Sequence, residues 1–103
     1  MQTRITARRS DIPDGLRAHI EQSVSKLDRY YDGIYDAHVV LTDGDGGRGK
    51  AAEVTVNVRR QTLKAQNAAP THEEAITGCV RELRRQVLRY KDRLRSTDKD
   101  VHR

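Results

Sequence analysis

The chain has 103 residues, 35% of them hydrophobic and 34% charged, a net charge of +5 and a mean hydropathy of -0.87, which describes one small domain with a thin core. No apolar run approaches the roughly 20 residues needed to cross a bilayer, and the N-terminus carries no apolar stretch of signal-peptide length, so a cytoplasmic protein is expected. A single cysteine, Cys79, rules out an intramolecular disulfide or a zinc ribbon, and the absence of Trp and Phe beside four Tyr leaves little surface for stacking bases.

Residues 3–8 alternate small or apolar with polar side chains, as in a strand with one buried face. Ser10-Asp-Ile-Pro-Asp breaks it and starts a helix, with Pro13 in a first turn where no amide donor is required. Leu16, Ile20, Val24, Leu27 and Tyr31 then fall on one narrow helical stripe. After Gly33, residues 34–42 are rich in β-formers and read as a second strand. Residues 43–50 hold four glycines and predict a flexible hairpin loop. Val54, Val56 and Val58 give the clearest period-two signal, and Arg59-Arg-Gln-Thr62 turns the chain into a shorter strand carrying Leu63 and Ala65. The sheet ends around Ala68-Ala-Pro-Thr71, and Thr71-His-Glu-Glu74 has the spacing of a capping box. A helix over 71–96 follows, with Ile76, Cys79, Val80, Leu83, Val87, Tyr90 and Leu94 on one side.

The order β-α-β-β-β-α predicts an α+β fold, a two-layer sandwich with both helices on one face of a four-stranded sheet. The other face carries Arg4, Thr6, His38, Thr55, Asn57 and Lys64, which suit water. Residues 1–96 are expected to form a single domain and residues 97–103 a flexible C-terminal tail.

The motifs that suggest chemistry fail on context. Gly44-x-Gly46-x-x-Gly49 matches a dinucleotide fingerprint, but a valine-rich strand follows where a helix N-terminus is required. Asp43 and Asp45 lack the third oxygen ligand and the closing Glu of a calcium loop. His72 and Cys79 are two helical turns apart, about 10 Å along the axis and too far for proton transfer, and Cys79 belongs to the apolar stripe. His19, His38, His72 and His102 show no metal-binding spacing. Asp11, Asp14, Glu73 and Glu74 sit at helix starts, where the dipole favours them. The sequence therefore predicts no enzyme, no metal or other cofactor and no small-molecule substrate.

The charge is concentrated. Residues 1–80 hold 11 basic and 11 acidic side chains, whereas residues 81–95 hold seven basic and two acidic, all but one of the seven being arginine. Self-repulsion on that helical face is left to an external anion, and arginine forks match phosphate geometry. Polyanion binding through Arg81, Arg84, Arg85, Arg89, Lys91, Arg93 and Arg95 is the expectation. Lys26 lies on the flank of the first helix shared with His19 and Tyr30, where it joins a groove if the helices pack side by side. Leu88 projects among the arginines as an isolated exposed leucine.

Ile5-Thr6, Leu16-Arg17, Ile20, Lys26-Leu27-Asp28-Arg29-Tyr30, Val39-Val40-Leu41, Leu63-x-Ala65, Ala75-Ile76 and the run from Leu83 through Arg85-Gln86 to Lys91-Asp92-Arg93-Leu94 occur in the order and spacing of a known family. Over about residues 2–96 the chain resembles the bacterial ribosome hibernation-promoting factors and ribosome-associated inhibitors, the sigma-54 modulation protein family. That resemblance implies a β-α-β-β-β-α sandwich similar to double-stranded RNA-binding domains. It also implies binding to the small ribosomal subunit and its 16S rRNA in the mRNA and tRNA channel, with inhibition of translation under stress or in stationary phase. By the same resemblance Arg85, Arg89, Lys91, Arg93 and Arg95 correspond to basic positions of the family helix and Lys26 to its basic residue before Leu; Arg81 and Arg84 are basic here without a family requirement. The chain departs at Thr71-His72-Glu73, where many relatives have an Asp-Met-Tyr-like helix start. It resembles a short, monomeric member without the C-terminal domain that long members use to pair ribosomes, a form that either binds single ribosomes or has a separate ribosome-dimerising factor as partner. Two other classes are a general double-stranded RNA-binding module and a protein-interaction regulator docking through Leu88 and the helix groove.

Overall fold

The computed structural model describes residues 1–8, 11–43 and 49–101, with side chains described as far as Arg95. Strand β1 (Gln2–Arg8) leads into helix α1 (Asp14–Ser25) and a 3-10 turn (Lys26–Arg29). Strands β2 (Asp36–Asp43), β3 (Lys50–Val58) and β4 (Gln61–Ala69) follow, and helix α2 (His72–Val101) closes the chain. The sheet order is β1-β2-β3-β4. β1 pairs parallel to β2, with α1 as the crossover, and the remaining pairs are antiparallel.

One face of this mixed sheet meets both helices. Ala37, Val39 and Leu41 of β2, Ala52, Val54, Val56 and Val58 of β3, and Leu63 and Ala65 of β4 are buried against Leu16, Ile20, Val24 and Leu27 from the first helical segment and Ala75, Ile76, Cys79, Leu83 and Val87 from α2. Each large side chain buried there contributes about 1.5–3 kcal/mol, and no charged or polar residue is buried among those described. At Gly78 the Asn67 amide occupies the space a Cβ would fill, so the missing side chain is what lets α2 lie close on β4.

The differences from the sequence reading have local causes. The helix that the Leu16-to-Tyr31 stripe predicts tightens after Ser25, with the amides of both Tyr30 and Tyr31 donating to the Leu27 carbonyl (3.1 and 3.3 Å). β4 is not shorter than its neighbour: both have nine residues, because pairing continues to Lys50↔Ala69. α2 is capped as expected, the Glu74 amide donating to Thr71 Oγ1 at 3.2 Å. It runs to Val101, past the Ser96 where the sequence pattern ends it, since 96–101 contain neither Gly nor Pro. Leu94, expected in the apolar stripe, is 36% exposed, because Tyr90 is the last buried residue among those described in α2 and residues 92–95 no longer pack on the sheet. The glycine-rich segment 44–48 lies outside the described residues.

Candidate nucleic-acid interface

The buried stripe of α2 fixes where its other side chains go. With Leu83, Val87 and Tyr90 on the sheet, about 100° per residue turns Arg81, Arg85 and Arg89 directly outward. Arg84, Lys91 and Arg95 lie on the flank toward the first helical segment, and Arg93 on the opposite flank with Gln86, whose Nε2 donates to the Lys64 carbonyl of β4 at 3.0 Å. All of the arginines are exposed, and Lys91 is half-buried.

Two of these side chains are held by the 3-10 turn. The Arg84 guanidinium sits 5.0 Å from the centre of the Tyr30 ring, a cation-π contact worth about 0.5–1 kcal/mol at an exposed site. Lys91 Nζ donates to the Tyr30 carbonyl at 3.2 Å, which neutralises the open end of that turn. Lys26 is exposed on the same segment. The helices do pack side by side, so the structure brings Lys26 to the element that orders Arg84 and Lys91. Tyr30 was legible only as a flank residue; its work as the platform depends on the tightening after Ser25.

Internal neutralisation of this surface is slight. Arg85 pairs with Glu82 at 3.4 Å across an i,i+3 step, but the two side chains are 69% and 45% exposed, and such a pair is worth less than about 1 kcal/mol. Arg81, Arg89, Arg95 and Lys26 have no ion-pair partner among the described residues. Leu88 stands 36% exposed between them, as expected of an isolated surface leucine.

Cys79 and His72 do not form a catalytic pair. The Cys79 thiol is fully buried and donates weakly to the carbonyls of Ala52 (3.4 Å) and Ala65 (3.7 Å). Burial pushes its pKa up to about 11, so it carries no thiolate at neutral pH. His72 instead directs Nε2 at the Thr42 carbonyl (3.2 Å) and at Asp43 Oδ1 (3.7 Å), tying the start of α2 to the end of β2. Asp43 also accepts a 2.9 Å hydrogen bond from Lys50, which lowers its carboxyl pKa.

Residues 3–95 match the family described as Sigma 54 modulation protein / S30EA ribosomal protein. Three relatives named ribosome hibernation promotion factor are similar in sequence. That of Deinococcus radiodurans is 32% identical over 92 residues (86% of this chain and 48% of the relative). That of Lactococcus lactis subsp. cremoris is 30% identical over 86 residues (82% and 46%), and that of Staphylococcus aureus 31% over 91 residues (86% and 47%). The chain thus spans about half the length of the curated relatives it matches. Among solved structures, the N-terminal domain of Thermus thermophilus Protein Y superposes with a TM-score of 0.79 at 28% identity, covering 87% of this chain and 99% of that one. A ribosomal subunit interface protein from Coxiella burnetii shares the fold, with a TM-score of 0.82 at 21% identity over 89% of this chain and 99% of the other. On the match over residues 3–95, the chain belongs to the Sigma 54 modulation protein / S30EA ribosomal protein family.

Proposed function

We propose that this chain is a ribosome hibernation factor that binds the small ribosomal subunit in its mRNA and tRNA channel and inhibits translation under stress or in stationary phase. The observation that carries the reading is the outer surface of α2, where residues 81–95 hold seven basic side chains against two acidic ones. The relatives named for ribosome hibernation support it. The mechanism is occlusion without chemistry: residues 1–96 act as a wedge whose volume excludes the anticodon arms. Arg81, Arg84, Arg85, Arg89, Lys91, Arg93 and Arg95, with Lys26 at the flank, neutralise phosphates of 16S rRNA. Recognition is by shape and backbone, because A-form RNA hides its base edges in a deep, narrow groove.

Co-sedimentation with separated ribosomal subunits across a salt titration, with a short RNA duplex as competitor, tests this reading. Stoichiometric binding to small subunits that the duplex does not displace is expected, with log K falling against log salt at a slope of about -4 to -5 for roughly six neutralised phosphates. Displacement by any duplex makes the protein a general double-stranded RNA-binding module. Binding that ignores salt and nuclease makes it a protein-interaction regulator.

A further inference from the structure

The β3–β4 connection is a two-residue loop, because Val58 pairs with Gln61, and both of its residues, Arg59 and Arg60, are exposed arginines. Arg60 has φ 65° and is the one non-glycine described residue with a positive φ. Hairpins normally place Gly or Asn at such a position, because a Cβ there is strained. Strain kept at an exposed tip points to a use for the side chain.

The tip is also fixed to the helix. Tyr90 Oη donates to the Arg59 carbonyl at 2.8 Å, and the Tyr90 ring is itself held edge-on against Tyr31, with centroids 5.5 Å apart. Beyond Tyr90, which touches the hairpin tip, residues 92–95 of α2 are all exposed. Arg89 and Arg93 are close to Tyr90 along α2. Neither Arg59 nor Arg60 has an ion-pair partner among the described residues. The Asp36 carboxylate, opposite Asn57 near the base of the hairpin, accepts the Asn57 amide at 2.6 Å.

We propose that the Arg59–Arg60 tip is a second phosphate-binding element, which grips the backbone of the same RNA that the outer face of α2 engages. This rests on the ribosomal reading above for the identity of the RNA. The fixed tip presents two further guanidinium forks beside the end of α2, so the RNA strand is held by both elements and its direction relative to α2 is set. Arg60 is retained at a strained position because glycine there would remove half of that grip.

The test compares the whole protein with its Arg59→Gln/Arg60→Gly variant, measuring the salt dependence of binding to purified small subunits and to a 20-base-pair RNA duplex, together with the melting temperature. The expected result is a slope shallower by about 1.5, for two lost phosphate contacts. Tm should rise by about 4 °C or more, since glycine relieves the positive φ. A variant that binds small subunits with an unchanged slope overturns the tip and leaves the ribosomal reading standing, as does lost affinity without a change of slope. Wild-type protein that binds only the duplex overturns the ribosomal reading, and the tip then stands or falls on the slope measured with the duplex. Binding to neither overturns both.

Discussion

The two outer surfaces of the sandwich differ in how their polar groups are satisfied. On the open face of the sheet, polar groups satisfy one another: Thr6 Oγ1 lies 3.0 Å from His38 Nε2, Asn57 links Asp36 to Thr62, and Glu53 receives both Gln66 Nε2 and Lys64. On α2, a denser set of basic charges shows one ion pair among Arg81, Arg84, Arg85, Arg89 and Arg95, that of Arg85 with Glu82. The sheet face satisfies much of its polar surface with hydrogen bonds across its strands, whereas the α2 face carries a dense positive charge that an anionic partner would complement. The density of basic charge on α2 and the cross-strand hydrogen bonds of the sheet distinguish the two faces.

That contrast can be broken most strongly from the helix side. Arg85→Glu with Arg89→Glu is expected to lower affinity for small ribosomal subunits about 100-fold or more at low salt, with Tm little changed. Retained binding in co-sedimentation would remove this face from the interface. Leu83→Ala attacks the layer that supports both faces and is expected to cost about 2–5 kcal/mol in urea denaturation, since Leu83 is fully buried. Tyr30→Leu removes the platform under Arg84; a loss of about 0.5–1 kcal/mol in binding, with Lys91 still on the backbone carbonyl, is the expected size. If instead affinity holds and only stability falls, Tyr30 is part of the packing alone.

The sheet face supplies the smaller effects that sharpen the comparison. Glu53→Gln and Lys64→Ala should each change stability by less than about 0.5 kcal/mol and ribosome binding by less than about twofold, as expected of an exposed pair. The acid limb reports on Asp43, whose pKa is lowered from 3.8, first by the Lys50 hydrogen bond. A folded-state pKa below the unfolded one means that its contribution is present above pH 3.8 and is lost as pH falls through the lower folded value. Asp43→Asn should therefore flatten the loss of Tm in that window, and an unaltered profile would assign the acid sensitivity to other carboxylates.

Most of the framework was legible because it depends on periodicity. Val54, Val56 and Val58 alternate, Leu83 and Val87 repeat with the helical turn, and each landed in the core. The long-range contacts were not legible. Leu94 fits the apolar stripe of α2 by spacing, but the position of the hairpin beneath Tyr90 determines whether it is covered, and that is a tertiary fact. Tyr30 and Arg84 are far apart in sequence and meet only because the helices pack side by side. Arg59 and Arg60 read as ordinary turn residues, since nothing local reveals either the positive φ or the hydroxyl of Tyr90 that fixes them.

The parallel pairing of β1 with β2 also sets an order of assembly. Gln2 meets Asp36 and Arg8 meets Thr42, so every partner of β1 lies beyond the whole of α1, while β2, β3 and β4 pair through short connections and α2 follows at once. Contacts that close large loops form late, and an edge strand joined only by such contacts is the natural first unit to open. Strand β1, though it precedes its partners in the chain, is thus expected to dock last, and its amides should exchange with solvent ahead of those of β3, whose two neighbours protect it on both sides.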